Sequence, residues 1–347
     1  MYLRNAWYVA AWDHELGRAL LPRTLLGENL VFFRTEDGAI GALEDRCCHR
    51  HAPLSVGKLV GDHVQCGYHG LMFDRGGNCI RVPSQSQVPP GARVRSYPVI
   101  ERHRWIWVWM GDPAAADASL IPDMHWHNDP AWRLAAGDRF SVKCHYQALI
   151  DIQLDQTHSK YVHPTSLAND GALASPALVR RDANRLHGGR VMANSDPQPL
   201  MRRAANYQQA RADVWIKWTY NPPSHVTFDT GIAEPGTGAL EGDRSRGITI
   251  FNSHSVTPET ERTTHYFWSS SRNYGLEDPA LDEVMREIRN TFLEDVAMVE
   301  AQNRAIEAFP GAPSIDVSAD APTIQARALM ARLIAEEEAR RAARNAP

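Results

Sequence analysis

The 347-residue chain has little cysteine, no excess of basic residues and no long apolar run. Five cysteines, an odd number in a chain of this length, exclude the disulfide framework that staples small secreted domains. The balance of 37 basic against 41 acidic residues leaves a formal charge of -4, without the dense positive face that nucleic acid demands. The longest apolar runs, such as Trp105 to Met110, fall far short of the roughly 20 residues that span a bilayer. The opening Met1-Tyr2-Leu3-Arg4-Asn5 lacks the charged start and apolar core of a secretory signal. A soluble, cytoplasmic protein is therefore expected, with neither nucleic acid nor membrane as a partner. The length gives room for two domains, each able to bury a core of its own.

What is present is concentrated between Cys47 and His69. Cys47 and His49 stand one residue apart, and Cys66 and His69 follow with Gly67 and Tyr68 between them. Each of two short loops thus offers one soft thiolate and one imidazole. Two thiolates on one iron and two imidazoles on the other form the ligand set of a Rieske [2Fe-2S] centre, where histidine raises the reduction potential. The competing reading is structural zinc, which also takes two Cys and two His, but whose spacings usually pair Cys with Cys and His with His. Cys48 lies one residue too close to His49 to replace Cys47 as a ligand without rebuilding the loop. Cys79 and Cys144 read as small buried residues.

Residues 1–115 read as short strands separated by turns. Thr24 to Arg34 is a strand pair around Gly27-Glu28-Asn29, Ala39 to Glu44 another strand, and Trp105 to Trp109 a buried one. Asp112-Pro113 and the alanine-rich patch after it break this rhythm, placing a domain boundary at 115/116.

Beyond the boundary, Trp132 to Ala148 reads as strand and Leu149 to Val162 as helix, with Pro164 pushing His163 out of helical geometry. His158 can project from that helix while His163 hangs from its end, so two imidazoles converge on one ion. A mononuclear Fe(II) centre that activates O2 needs a carboxylate as third ligand and open positions beside it. Pro279 to Phe309 shows helical periodicity, with Leu281, Val284, Ile288, Phe292, Val296 and Val299 on one stripe. At about 100° per residue Asp295 falls within that stripe, while Glu294 and Glu300 fall outside it and Glu294 reads as a solvated charge. A carboxylate on a buried face is costly unless paired or metal-bound. Asp295 is the candidate third ligand; the alternative is a buried aspartate paired with an arginine.

Trp215 to Trp218, His225 to Asp229, Ile248 to Phe251 and His265 to Trp268 read as successive strands of an antiparallel sheet, with turns at Asn221-Pro222-Pro223 and Thr257-Pro258-Glu259. Curved around the long helix, such a sheet encloses a cavity over the iron. His254, just past the strand ending at Phe251, is a candidate substrate-binding donor, with a surface position as the alternative. Thr323 to Ala343 reads as an amphipathic packing helix. The fold class expected is α+β: an N-terminal all-β [2Fe-2S] domain at 1–115, then a catalytic domain of helix-grip type at 116–347.

Taken together, Arg4-Asn5-Ala6-Trp7-Tyr8-Val9-Ala10, the two cluster loops, Trp107-Val108-Trp109, Asp155-x-x-His158-x4-His163, Pro222-Pro223-Ser224-His225-Val226 and Glu294-Asp295 resemble the Rieske non-haem iron oxygenases. Within that family they resemble the vanillate O-demethylase oxygenase components, with dicamba and toluenesulfonate monooxygenases as relatives. The resemblance implies an oxygenase component that O-demethylates a methoxylated, vanillate-like aromatic acid, consuming O2 and releasing formaldehyde. Electrons would come from an NAD(P)H-dependent reductase carrying flavin and [2Fe-2S]. It further implies a head-to-tail homotrimer, in which the aspartate matching Asp155 links the cluster of one subunit to the iron of its neighbour. Cys48 stands where the family usually shows proline, Ile152 and Gln153 where relatives often have Asn and Leu, and Gln156 where a more apolar residue is usual. The alternatives are a hydroxylase of a methyl group or ring carbon in another small aromatic, and an electron carrier holding the Rieske centre alone.

Overall fold

Aromatic and β-branched residues form the buried strands of the first unit. In the computed structural model, which describes residues 1–345, Trp105–Trp109 is buried at every position, and Trp105, Trp107 and Trp109 are among the largest fully buried side chains. The unit contains strands β1 (Trp7–Trp12), β2 (Leu21–Leu25), β3 (Glu28–Arg34), β4 (Ile40–Glu44) and β5 (Lys58–Val60). It continues with β6 (His63–Gln65), β7 (Met72–Phe73), β8 (Cys79–Arg81), β9 (Val99–Arg102) and β10 (Trp105–Trp109). They form three antiparallel sheets, ordered β1-β10-β9, β2-β3-β4 and β5-β6-β7-β8. Cys47, Cys66 and Cys79 lie in one apolar cluster with Phe33, Leu54 and Phe73, and Cys48 packs against its edge.

The second unit is organised on a seven-stranded sheet of order β11-β17-β16-β15-β14-β13-β12. Its strands are β11 (Arg133–Val142), β12 (Leu178–Asp182), β13 (Arg185–Ser195), β14 (Ala212–Asn221), β15 (His225–Ala233), β16 (Gly247–Pro258) and β17 (Thr264–Arg272). The helices are α1 (Tyr146–Leu154), α2 (Ser159–Val162), α3 (Asp170–Ala174), α4 (Pro199–Ala204), α5 (Pro279–Arg286), α6 (Ile288–Ala308) and α7 (Ala321–Asn345). None is long and apolar enough to cross a membrane. On β15 and β16, Phe228 and Thr230 oppose Asn252 and Ile250, and the strand period of two puts these residues and His254 on one face. That face looks onto the helices.

The residues divide into compact units at Ile121/Pro122, and residues 257–261 belong to the first unit although β16 begins in the second. Several expectations about the elements need correction. The strand expected to reach Ala148 ends at Val142, because His145 caps a helix that starts at Tyr146, its Nδ1 accepting from the Gln147 N–H at 3.3 Å. The helix expected over Leu149 to Val162 is broken at Asp155, whose backbone is extended. The Asp155 carboxylate accepts from Thr157 N and Oγ1 at 2.8 and 2.6 Å, a side-chain turn that competes with the helix. The helix expected over Pro279 to Phe309 divides at Glu287, where the N–H reaches back to Val284 O in a tighter three-residue step. The hairpin β12–β13 had no legible sequence signal; its turn passes through Ala183 in the left-handed region, φ 46°.

Candidate metal centres

The two cysteine loops repeat one backbone design. Cys47 N–H bonds Ala52 O at 2.9 Å and His51 N–H returns to Cys47 O at 3.0 Å; Cys66 N–H bonds Leu71 O at 2.8 Å and Gly70 N–H returns to Cys66 O at 3.1 Å. In both, the residue four beyond the cysteine adopts positive φ, 59° at His51 and 72° at Gly70. The loops differ in where histidine falls, two residues after Cys47 and three after Cys66. The thiols are buried in the apolar cluster while His49 and His69 are exposed, with ring centroids 4.6 Å apart. Burial pushes the Cys47 thiol up to about 11, against the His49 N–H, which favours the thiolate; nearby Cys66 raises it further. Soft donors thus lie inside and imidazoles outside.

A single ion needs all its donors around one point. Among the described residues, the only group of three or more His, Cys, Asp or Glu whose donor atoms gather within 4.8 Å is His158, His163 and Asp295.

The second centre is assembled from α2 and α6. His158 sits at the start of α2 and its Nδ1–H donates to Asp155 O. His163 follows the end of α2, with Pro164 preventing continuation, and its Nδ1–H donates to Glu294 Oε2 at 2.7 Å. With each Nδ1 donating to an oxygen, both Nε2 atoms turn to Asp295 Oδ1, at 3.3 Å from His158 and 2.9 Å from His163, and lie 3.3 Å from each other. Two imidazole lone pairs and a carboxylate oxygen this close repel one another unless a cation or a proton lies between them. Without metal, protons do part of that work. Burial alone would push the Asp295 carboxyl up, but hydrogen bonds from His158 and His163 more than offset it and hold the group below the ordinary value. Burial likewise depresses His163, and its bonds to Asp295 and Glu294 outweigh this and raise it. Two histidines and one carboxylate on one side of a point, with the other side open, form the donor set of non-haem Fe(II) oxygenases.

The open side faces a cavity of about 790 Å³, its mouth included, between the sheet face and helices α1, α2, α4, α5 and α6. His254, expected just past a strand end, lies inside β16, is 2% exposed and lines this cavity. Its Nδ1 meets Tyr266 Oη at 2.8 Å, its ring packs edge-on against Phe292 at 4.9 Å, and burial drops its pKa to about 3, so the imidazole is neutral.

Two profile matches cover most of the chain: the Rieske [2Fe-2S] domain over residues 6–98, and the vanillate O-demethylase oxygenase C-terminal domain over residues 142–336. The chain belongs to the Rieske non-haem iron monooxygenases. Its cofactors are a [2Fe-2S] cluster and a mononuclear non-haem iron. Over 343 residues it is 41% identical to the iron-sulfur subunit of the toluene-4-sulfonate monooxygenase system of Comamonas testosteroni, covering 97% of this chain and 98% of that one. It is 35% identical to a vanillate O-demethylase oxygenase subunit of a Pseudomonas species, covering 91% of this chain and 97% of the relative. The crystal structure of dicamba monooxygenase bound to 3,6-dichlorosalicylic acid matches with a TM-score of 0.91 and 37% identity, covering 97% of this chain and 99% of that one.

Sequence reasoning missed Glu294 in this oxygenase. Its side chain is 40% exposed, as periodicity implied, yet it holds His163 Nδ1 while the next residue, Asp295, meets Nε2 of the same ring. The signal available was the adjacency itself: two consecutive carboxylates, one of them the candidate third ligand. Glu300 is also off the stripe, and its carboxylate accepts from Lys143 N at 2.9 Å.

Proposed function

We propose that this protein is the oxygenase component that O-demethylates a methoxylated aromatic acid, in the manner of the vanillate and dicamba relatives. The observation that carries the reading is the convergence of His158, His163 and Asp295 at the edge of a mainly apolar cavity of about 790 Å³, its mouth included, with room for a small aromatic substrate beside the donors. His158, His163 and Asp295 hold the mononuclear Fe(II), and Cys47, His49, Cys66 and His69 hold the [2Fe-2S] cluster. Bound iron supplies dioxygen activation with electrons delivered one at a time through the cluster.

The remaining work belongs to the chain. The Asp155 carbonyl and Glu294 fix the two imidazoles with Nε2 forward, which keeps the ligand geometry set before metal arrives. Phe228, Ile250 and Phe292 hold an aromatic ring and exclude water. Neutral His254 offers a hydrogen bond to a substrate oxygen. Asp155 carries electron transfer between the centres of adjacent subunits in a homotrimer, fed by an NAD(P)H-dependent reductase. Overall, a methyl ether, O2, NADH and a proton give a phenol, formaldehyde, water and NAD⁺, through a hemiacetal that collapses without further catalysis. We assign 1–115 to the cluster domain and 116–347 to the catalytic domain as functional units.

Oxygen uptake with NADH and a heterologous reductase across methoxybenzoates, with formaldehyde assayed, tests this. Stoichiometric formaldehyde from at least one acid is expected. Oxidation of an aryl methyl group or bare ring, with no formaldehyde from any methoxy acid, overturns the demethylase reading. That second reading, oxygenation of an aromatic without a methoxy group, is favoured by the 41% identity to the toluene-4-sulfonate monooxygenase subunit.

A further inference from the structure

Gln153 is the cavity residue that neither the fold nor the metal centre accounts for. It lies on α1, is 7% exposed, lines the cavity, and neither Nε2 nor Oε1 has a hydrogen-bond partner. The other two glutamines of the wall differ: Gln156 Nε2 donates to Ile216 O at 3.1 Å and Gln198 Nε2 to Leu167 O at 3.2 Å. The Gln153 amide comes near enough to Tyr266 to oppose slightly the burial that raises that phenol, but falls short of a hydrogen bond. On the sheet side, Asn252 Oδ1 is also unpartnered, in a residue 9% exposed. A buried amide left unpaired destabilises the folded state, so its retention points to a partner that arrives with the ligand.

The chemistry of that partner follows from the amide. Gln153 offers a donor and an acceptor side by side, about 2 Å apart, as any carboxamide does. An anion would satisfy Nε2 and confront Oε1 with like charge. None of the described lining residues is a lysine or arginine, and Asp295 stands in the same cavity. An uncharged pair of adjacent oxygens, one bearing hydrogen, satisfies both atoms: a ring hydroxyl donates to Oε1 and a neighbouring methoxy oxygen accepts from Nε2.

We propose that Gln153 is a specificity-determining residue that selects ortho-methoxyphenols by pairing its carboxamide with the adjacent hydroxyl and methoxy oxygens. This deepens the demethylase reading and rests on it for the ring substrate. The test is anaerobic calorimetry on holoenzyme with 4-hydroxy-3-methoxybenzoate, 3-methoxybenzoate and 3,4-dimethoxybenzoate. Wild type is expected to bind the hydroxylated acid about tenfold or more tightly than either of the others. Gln153→Met should reduce that preference to within about twofold and, by removing an unpaired buried amide, raise the ligand-free melting temperature. No preference in wild type, or a preference that survives Gln153→Met, overturns the proposal. A lowered melting temperature with preference intact does so too, by making the amide structural. Formaldehyde release is measured separately. A Gln153-dependent preference without formaldehyde sinks the demethylase reading alone, and formaldehyde without that dependence sinks this inference alone.

Discussion

The cluster loops and the iron site solve the same problem, fixing donors around metal, by opposite routes. Each cluster loop closes on itself within six residues, Cys47 to Ala52 and Cys66 to Leu71, with backbone hydrogen bonds doing the shaping. The iron site draws Asp295 and Glu294 from α6, more than 130 residues beyond His163, and orients each imidazole by a separate acceptor. The first is a local motif that needs a hydrophobic floor; the second exists only when α2 and α6 pack together. The difference teaches where each centre is vulnerable: the loops to changes in turn chemistry, the iron site to changes in helix packing or in the groups behind the ligands.

The largest effects should separate the two centres outright. Cys66→Ser is expected to lose the cluster, its brown colour and its rhombic signal on reduction. Asp295→Ala should keep all of these and lose one iron per chain. Both should drop turnover by about a thousandfold or more, as removal of essential groups does. Metal analysis beside spectroscopy decides it, and loss of both centres in either variant would deny their independence. Asp155→Asn should leave both centres filled and still cut turnover by at least about a hundredfold, because the proposed link between them is what changes. Retained activity with full metal occupancy would remove Asp155 from the electron route.

On stability, the second unit depends on a buried charge cluster. Asp282, 7% exposed, accepts from Arg272 at 2.8 Å and from Arg133 at 2.8 Å, tying α5 to the strand ends of β17 and β11. Asp282→Asn is expected to cost about 3 kcal/mol in urea unfolding, since it leaves fully buried Arg272 short of its counter-charge. Burial would raise the Asp282 carboxyl, but the two arginines hold it below its usual 3.8. A carboxyl depressed in the folded state stabilises above its unfolded value and loses that contribution as pH falls through the folded one. The wild type should therefore shed this stability below about pH 4 and the variant should not. Equal acid profiles would show the cluster to be energetically silent.

Smaller effects sharpen the contrast. Glu294→Gln should weaken iron retention about 10- to 100-fold in a chelator challenge and leave the cluster unaffected, as loss of a ligand's supporting carboxylate does. The loop repeat predicts opposite signs at equivalent positions. Gly70→Ala should destabilise by about 1 kcal/mol, a Cβ at φ 72° also meeting Pro83 Cγ at 3.1 Å. His51→Gly should be near neutral or stabilising, because His51 already bears left-handed strain at φ 59°. Thermal melts of the two variants read this directly.

By itself the sequence determined the metal chemistry and most of the strands. Donor identity and spacing are local properties, and the β-branched and aromatic runs of Trp105–Trp109 and of β14 to β17 need no knowledge of the partner strand. Periodicity also placed Asp295 on the buried face of α6. Only the structure decided which of two competing local patterns wins at the helix breaks, and only the tertiary packing decided the contacts between distant segments. Asp155 ends its helix because its own carboxylate captures Thr157. Glu294, which periodicity assigns to solvent, joins the candidate iron site because its side chain can reach back over a helix edge to His163. His254 and Gln153 face one cavity because β16 and α1 are brought together across the sheet. Side-chain direction across packed elements is set by all of them at once, and no window of residues along the chain contains it.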